Sequence, residues 1–376
     1  MRRDSSPPRP DWRRRVEGRG FTFHTADGVP YWNESACYTF TKGEVDSLEL
    51  ATNALHEMCL ALVQRVIDDK LFALFLIPPG FEELVVRSWN DDEPTVYGRF
   101  DLAFDGSGPP KLLEYNADTP TSLLEAAVIQ WDWLTDLDPH GDQFNSIDEK
   151  LVELAWPAVL QQDDNPVHFA ADRSSEEDAV TADYMRDTAV RAGVKTAALD
   201  VSDIGFDARR RLFVGRDNEP LRRVFKLYPW EWLTRDEFGP HALHAPTAWT
   251  EPPWKMLLSA KAILPMLYEM FPESPYLLPA SFDPLGGDCV RKPVHGREGA
   301  NIEVIRGGNV VAATPGPYAT DRAVVYQQLA RLFQDGGRHA VIGSWVINGW
   351  AAGIGVREDD SIVTRNTSRF VPHRMV

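Results

Sequence analysis

Between Tyr97 and Glu125 the chain reads YGRFDLAFDGSGPPKLLEYNADTPTSLLE. Arg99 and Asp101 stand two residues apart, as do Glu114 and Asn116. Side chains alternate faces along a strand, so each pair shares a face. Asp105 to Pro110 has the composition of a turn between two strands. If the strands pair, an arginine, two carboxylates and an amide converge. Asp101, Glu114 and Asn116 offer oxygen donors of the kind Mg²⁺ takes while leaving room for phosphate and water. Asp118-Thr119-Pro120-Thr121-Ser122 follows, with helix-capping residues and a proline suited to a first turn. Glu125 lies three residues after Ser122. A helix starting there aims free N–H groups at the patch, which makes an anion site. Each charge taken alone reads as a solvated residue of a surface hairpin. The constellation reads as a metal–phosphate site.

Lys292-Pro293 ends a short strand and is followed by His295-Gly296-Arg297-Glu298-Gly299-Ala300-Asn301-Ile302. Lysine before a glycine-bracketed loop suits a hairpin that covers phosphate. It is not a P-loop, because no GK[ST] opens a helix. As a bare pattern it is common.

The elements that must carry these groups are legible in outline. Thr41 with Glu44 makes a capping box for a helix to about Asp69, with Val45, Leu48, Leu55, Met58, Leu62 and Val66 on its core face. Pro78-Pro79-Gly80 reads as the end of that helical region. A helix is expected over Ile147–Leu160. Val167–Ala171, an acidic loop, a helix to about Ala192 and Lys195–Leu199 read as a βαβ unit. Glu176 and Glu177 sit in that loop, at the carboxyl end of a strand, where open α/β sheets place ligands. An acid-rich helix start explains them equally well on its own. Arg222–Tyr228 reads as a strand, and 234–253 as a loop or boundary. Trp254–Met270 reads as one helix bearing Lys255 and Lys261. Ala323–Phe333 reads as a strand running into a helix. Asn348-Gly349 between two apolar runs signals a two-residue hairpin. Arg357 falls where its second strand ends.

The chain has 376 residues, a net charge of −17 and three cysteines far apart. The size allows two or three subdomains. The divisions expected are a flexible basic arm over 1–20, a helical segment with the metal-site hairpin over 21–135, a βαβ substrate region over 136–245 and a nucleotide-binding region over 246–376. The charge argues against a nucleic-acid partner. It suits a small cationic substrate such as a polyamine, or solubility alone. No apolar run approaches the ~20 residues of a membrane span, so no membrane partner is expected. The cysteine spacing fits no metal site and suits a reducing cytoplasm.

RFD followed by EYNADTPTSLLE, KP-x-x-GREGANI, and GSWVINGWAAGIGVRED followed by SRFVPH resemble the ligase domain of the glutathionylspermidine synthase family. The likeness runs from about Tyr31 to His373, with no match to the amidase domain that some members carry. It implies an α/β (α+β) fold of rearranged ATP-grasp type, with a preATP-grasp-like βαβ substrate region. It implies an ATP-dependent ligase that joins a peptide carboxylate to a polyamine or another amine through an acyl phosphate. ATP and Mg²⁺ are the implied cofactors. The resemblance implies that Asp101, Glu114 and Asn116 bind the metal. Arg99 and Arg357 would face the transferring phosphate. Lys261 and Lys292 would hold ATP under the loop Gly296, Arg297, Glu298 and Gly299, with Gln328 at adenine. Thr121 and Ser122 would meet the peptide carboxylate, and Glu176 and Glu177 the polyamine. The competing expectations are a non-catalytic nucleotide- or polyamine-binding relative of the same fold, or a ligase of that fold that uses another acid and amine.

Overall fold

A computed structural model describes residues 1–26, 28–160, 165–318 and 323–376. The fold is mixed α/β, and three sheets position the site.

The central sheet is antiparallel. Its order is Arg369–Val371, Trp350–Asp359, Arg338–Ile347, Tyr97–Ala103, Lys111–Asn116, with Phe333–Asp335 also on Arg338–Ile347. Asn348 and Gly349 take φ 48° and 84° at the tip of the long hairpin. Those left-handed values match a two-residue turn between twisted strands. In the other hairpin, Asp105 Oδ1 accepts from the Ser107 N–H at 2.9 Å and fixes the turn. The Lys42–Asp68 helix carries the expected reciprocal capping box of Thr41 and Glu44. It packs on the long hairpin and buries Val45, Leu48, Leu55, Cys59, Leu62 and Val66.

The second sheet is parallel, in the order Ala248–Thr250, Arg223–Leu227, Val167–Ala171, Thr196–Asp200. The Glu176–Arg191 helix links its last two strands in that order, so the βαβ unit is present. Val167–Ala171 and Arg223–Leu227 are buried throughout, as strands covered on both faces must be. The third sheet, Ala280–Ser281, Val324–Gln328, Cys289–Pro293, Glu303–Arg306, Asn309–Ala313, is antiparallel. A small apolar cluster of Ile302, Val304 and Val363 sits beneath its glycine loop.

Several expectations are corrected. Residues 1–20 are not a loose arm. Arg2–Ser5 pairs with Ala36–Phe40, Trp12–Glu17 is helical, and buried Arg9 meets buried Glu34 at 2.7 Å. Pro78-Pro79-Gly80 does not end the helical region, because Gly80 at φ 92° opens a further helix, Phe81–Asn90. The 234–253 stretch contributes the edge strand Ala248–Thr250. The expected Trp254–Met270 helix is broken into Pro253–Lys255, Met256–Ser259 and Ile263–Met270. At the break the Lys261 N–H donates to the Val294 carbonyl at 2.8 Å instead of to its own helix. After Val324–Gln328 no helix follows. The Gln328 and Leu329 N–H groups bond the Pro279 and Asp288 carbonyls, which holds the chain extended.

Candidate active site

A cleft of about 380 Å³ lies where the three sheets meet. Strand register builds its floor. Arg99 stands opposite Asn116, and Asp101 opposite Glu114, with a bulge just after Asp101. Bulges re-aim side chains, and this one falls at the constellation. Arg99 Nε donates to Asp101 Oδ1 at 2.8 Å, and its Nη1 donates to the Thr121 carbonyl at 2.6 Å. Arg357 reaches Asp101 from the neighbouring hairpin in a close ion pair. The Asn116 amide lies 3.3 Å from Asp101 Oδ2 and 3.4 Å from Glu114 Oε1. The two carboxylates and the amide therefore converge. An amide turned over presents Oδ1 at the same point.

Lysines close the opposite side. Lys261 Nζ lies 3.1 Å from Glu114 Oε2 and donates to the Gly296 carbonyl at 2.6 Å. The helix break is what brings it there. Lys292 Nζ donates to the Leu113 carbonyl and to Gln327 Oε1, both at 2.8 Å. Burial pushes the Lys292 ammonium down to about 8, against the pull of Glu114. Burial disfavours ionised Glu114, but Lys261 and Lys292 outweigh it and hold its carboxyl well below the usual range.

The glycine loop is docked on the cleft. Arg297 Nη2 donates to Thr119 Oγ1 at 2.7 Å, and the guanidinium lies 5.7 Å from the Trp232 ring centre. Gly299 has φ 70°, and a Cβ there would come 2.4 Å from the Thr364 carbonyl oxygen. Only glycine allows that approach.

Of the residues singled out in the sequence, Arg99, Asp101, Glu114, Asn116, Thr121, Ser122, Glu177, Lys261, Lys292, Gly296, Arg297, Glu298, Gly299, Gln328 and Arg357 all line this cleft. Glu176 does not line it; it is exposed on the outer side of its helix start. Its place is taken by Asp178, whose carboxyl is pushed up to about 6 by burial and by Glu177. Gln328 is exposed at the cleft edge, whereas Gln327 is buried and donates to the Leu112 carbonyl at 2.8 Å. Strand alternation could have found it, because Gln327 shares the inward face of Val325. Ser122 does not cap a helix through its side chain. It takes φ 66°, and its hydroxyl meets the Tyr31 hydroxyl at 2.9 Å. Glu125 also turns to Tyr31 and opens a π-helical turn, Glu125–Ile129. From the sequence Tyr31 reads only as one of the packing aromatics of residues 20–40.

A family profile described as glutathionylspermidine synthase preATP-grasp matches residues 3–376. The chain belongs to the glutathionylspermidine synthase family. It is 41% identical over 386 residues to a Haemophilus influenzae protein whose name, acid–amine ligase, is itself provisional, with 98% of each chain covered. It is 30% identical over 352 residues to trypanothione synthetase of Crithidia fasciculata, covering 85% of this chain and 54% of that one. It is 29% identical over 367 residues to the bifunctional glutathionylspermidine synthetase/amidase of Escherichia coli, covering 89% and 58%. The chain thus spans a little over half the length of the last two. This glutathionylspermidine synthase family member is an enzyme of the acid–amine ligase class. Among its described residues no helix is long and apolar enough to cross a membrane.

Proposed function

We propose that this enzyme is an ATP-dependent ligase that joins a peptide carboxylate to an amine through an acyl phosphate. One observation carries the reading. A single cleft is lined both by the cations Arg99, Arg357, Lys261 and Lys292 and by the acids Glu177 and Asp178. The cations suit triphosphate and carboxylate, and the acids suit an alkylammonium group. The names of the relatives point to glutathione as the acid and spermidine as the amine.

Among the described residues no three His, Cys, Asp or Glu side chains form a metal cluster. Two carboxylates and an amide are nevertheless the sparse oxygen set that Mg²⁺ shares with phosphate and water. Asp101, Glu114 and Asn116 would hold that ion, which when bound neutralises charge on the phosphate oxygens. The chain's own residues do the rest. Lys261 and Lys292 hold the nucleotide phosphates, and the loop of Gly296 to Gly299 excludes water above them. Val290, Ile302, Leu329 and Leu332 give an apolar wall for a base. Arg99 and Arg357 hold the acceptor carboxylate in line and stabilise charge spreading over the transferring phosphoryl group. A carboxylate oxygen attacks the γ-phosphorus and ADP leaves. The amine nitrogen then attacks the acyl carbon and phosphate leaves.

The test is ADP release with ATP, glutathione and a panel of amines that includes spermidine. ADP should accumulate only when acid and amine are both present. No pair raising ADP above background, over a wider panel of small peptides, would overturn the reading. Glu114→Gln keeps shape and removes a charge. It should lower kcat about 10²-fold or more, recover in part with excess Mg²⁺ or Mn²⁺, and leave the nucleotide-free melting temperature unchanged. Normal turnover would remove Glu114 from the metal set.

A further inference from the structure

Behind the cleft wall lies a buried acid that the reaction as described does not use. Glu125 is fully buried. Its Oε1 accepts from the Tyr31 hydroxyl at 2.8 Å, and its Oε2 has no hydrogen-bond partner. Tyr31 lines the cleft, and its hydroxyl meets the Ser122 hydroxyl at 2.9 Å. Ser122 lines the cleft beside Thr121, whose carbonyl holds Arg99. Ser122, Tyr31 and Glu125 thus form an unbroken line of hydrogen bonds from the reaction cleft to a buried carboxyl.

The backbone at both ends of this line is unusual. Ser122 is a non-glycine residue at φ 66°, and Glu125 opens a π-helical turn. Both features carry a local energetic cost and recur at functional sites. An unpartnered buried oxygen is a further cost. A purely structural tyrosine anchor needs none of the three.

We propose that Ser122, Tyr31 and Glu125 are a proton relay that deprotonates the attacking amine. The inference rests on the ligase reading, because only that chemistry brings an ammonium ion to this place. The amine arrives as R–NH₃⁺ and cannot attack until one N–H bond breaks. That proton passes to Ser122 Oγ, the serine proton to the Tyr31 oxygen, and the tyrosine proton to Glu125. The electron pair stays on nitrogen, which forms the C–N bond as the C–O bond to phosphate breaks. The second nitrogen proton leaves with the phosphate. Glu125 returns its proton along the same line after product departs.

The surroundings of Glu125 suit the task. Burial, and then Glu177, push its carboxyl up to about 8, while Tyr31 and Arg99 pull the other way. A group that gains and loses a proton near neutrality is the efficient acceptor there. Tyr31 itself is held well above its ordinary value by burial and by Glu125 and Glu177, so it passes a proton on without remaining ionised.

The test compares two nucleophiles on one acid. Spermidine is an ammonium ion at neutral pH and needs a base; hydroxylamine is uncharged and does not. The wild-type enzyme, Glu125→Gln and Tyr31→Phe are each given ATP, glutathione and one nucleophile, and amide or hydroxamate is measured. Both variants should lose about 10²-fold in turnover with spermidine and keep wild-type hydroxamate formation. Calorimetry with a non-hydrolysable ATP analogue should show unchanged nucleotide binding in both. Equal loss with both nucleophiles would make the three residues a scaffold and overturn the relay. No loss with either would overturn it too, with the ligase reading intact. If the wild-type enzyme forms neither product from glutathione or from any peptide of the wider panel, the ligase reading falls and takes the relay with it.

Discussion

Replacing Arg99 by lysine is expected to lower kcat about 10³-fold, because a phosphate-facing arginine contributes 10³ to 10⁵ in phosphoryl transfer. The guanidinium is buried and already committed on two sides, to Asp101 at 2.8 Å and to the Thr121 carbonyl at 2.6 Å. It lies 5.7 Å from the Trp345 ring centre. Its remaining N–H groups therefore have one orientation when charge grows on the phosphoryl oxygens. A lysine ammonium is a point charge on a loose stem and cannot hold both partners and a phosphate at once. The fold should survive, because Asp101 keeps its pair with Arg357. Affinity for a non-hydrolysable ATP analogue should change far less than kcat, since the interaction lost is one made in the transition state. Steady-state ADP release and calorimetry check the two halves. A fall in kcat of less than about tenfold, against the 10³ expected of a phosphate-facing arginine, would place Arg99 in support of the strand rather than in the chemistry.

What the sequence disclosed was local. Arg99, Asp101, Glu114 and Asn116 could be brought together on paper because strand period and a turn between two strands fix which side chains share a face. The capping box at Thr41 and the Asn348-Gly349 hairpin were legible for the same reason, since each depends on neighbours within a few residues. The features that were missed are tertiary. The sequence pattern puts Lys261 on a continuous helix, but its N–H is captured by the Val294 carbonyl, some thirty residues along the chain. That capture breaks the helix and delivers the ammonium to Glu114. The basic residues at the start read as a flexible arm, yet Arg3 and Arg9 find the buried acids Glu358 and Glu34. Nothing in a run of arginines says which carboxylate is waiting. Glu125 looked like a helix-start acid, and only the distant Tyr31 turns it into the end of a line to the cleft. Glu176 and Asp178 could not be told apart in the sequence, because both flank Glu177 and the helix phase decides which one faces inward.

The largest stability effect is expected at Glu251, where removal of the side chain should cost about 3–5 kcal/mol. This carboxylate is fully buried beneath the strand that carries Arg99 and Asp101. Its Oε1 accepts from the Val96 and Tyr97 N–H groups, each at 3.0 Å. Its Oε2 accepts from Thr95 Oγ1 at 2.5 Å and from Lys255 Nζ at 2.6 Å. Burial lowers the pKa of Lys255, and Glu251 works against that shift. Glu251→Ala leaves two N–H groups without an acceptor in a dry place, and leaves the Lys255 ammonium, which still donates to Thr95 Oγ1 and the Tyr97 carbonyl, without its counter-charge. Lys255→Met should cost less, because Glu251 keeps Thr95, Val96 and Tyr97 as donors. The double variant should be more stable than Glu251→Ala alone, since it no longer buries an unpaired charge. Urea denaturation of the three proteins gives the coupling directly. Strictly additive losses would show that the two charges do not act on each other. A loss under about 1 kcal/mol for Glu251→Ala would mean that the pair behaves like an exposed one. Turnover gives a second reading. Lys255→Met leaves the start of the site strand tied through Glu251, so its kcat should stay close to wild type, whereas Glu251→Ala should lose activity along with stability as Arg99 and Asp101 lose their footing.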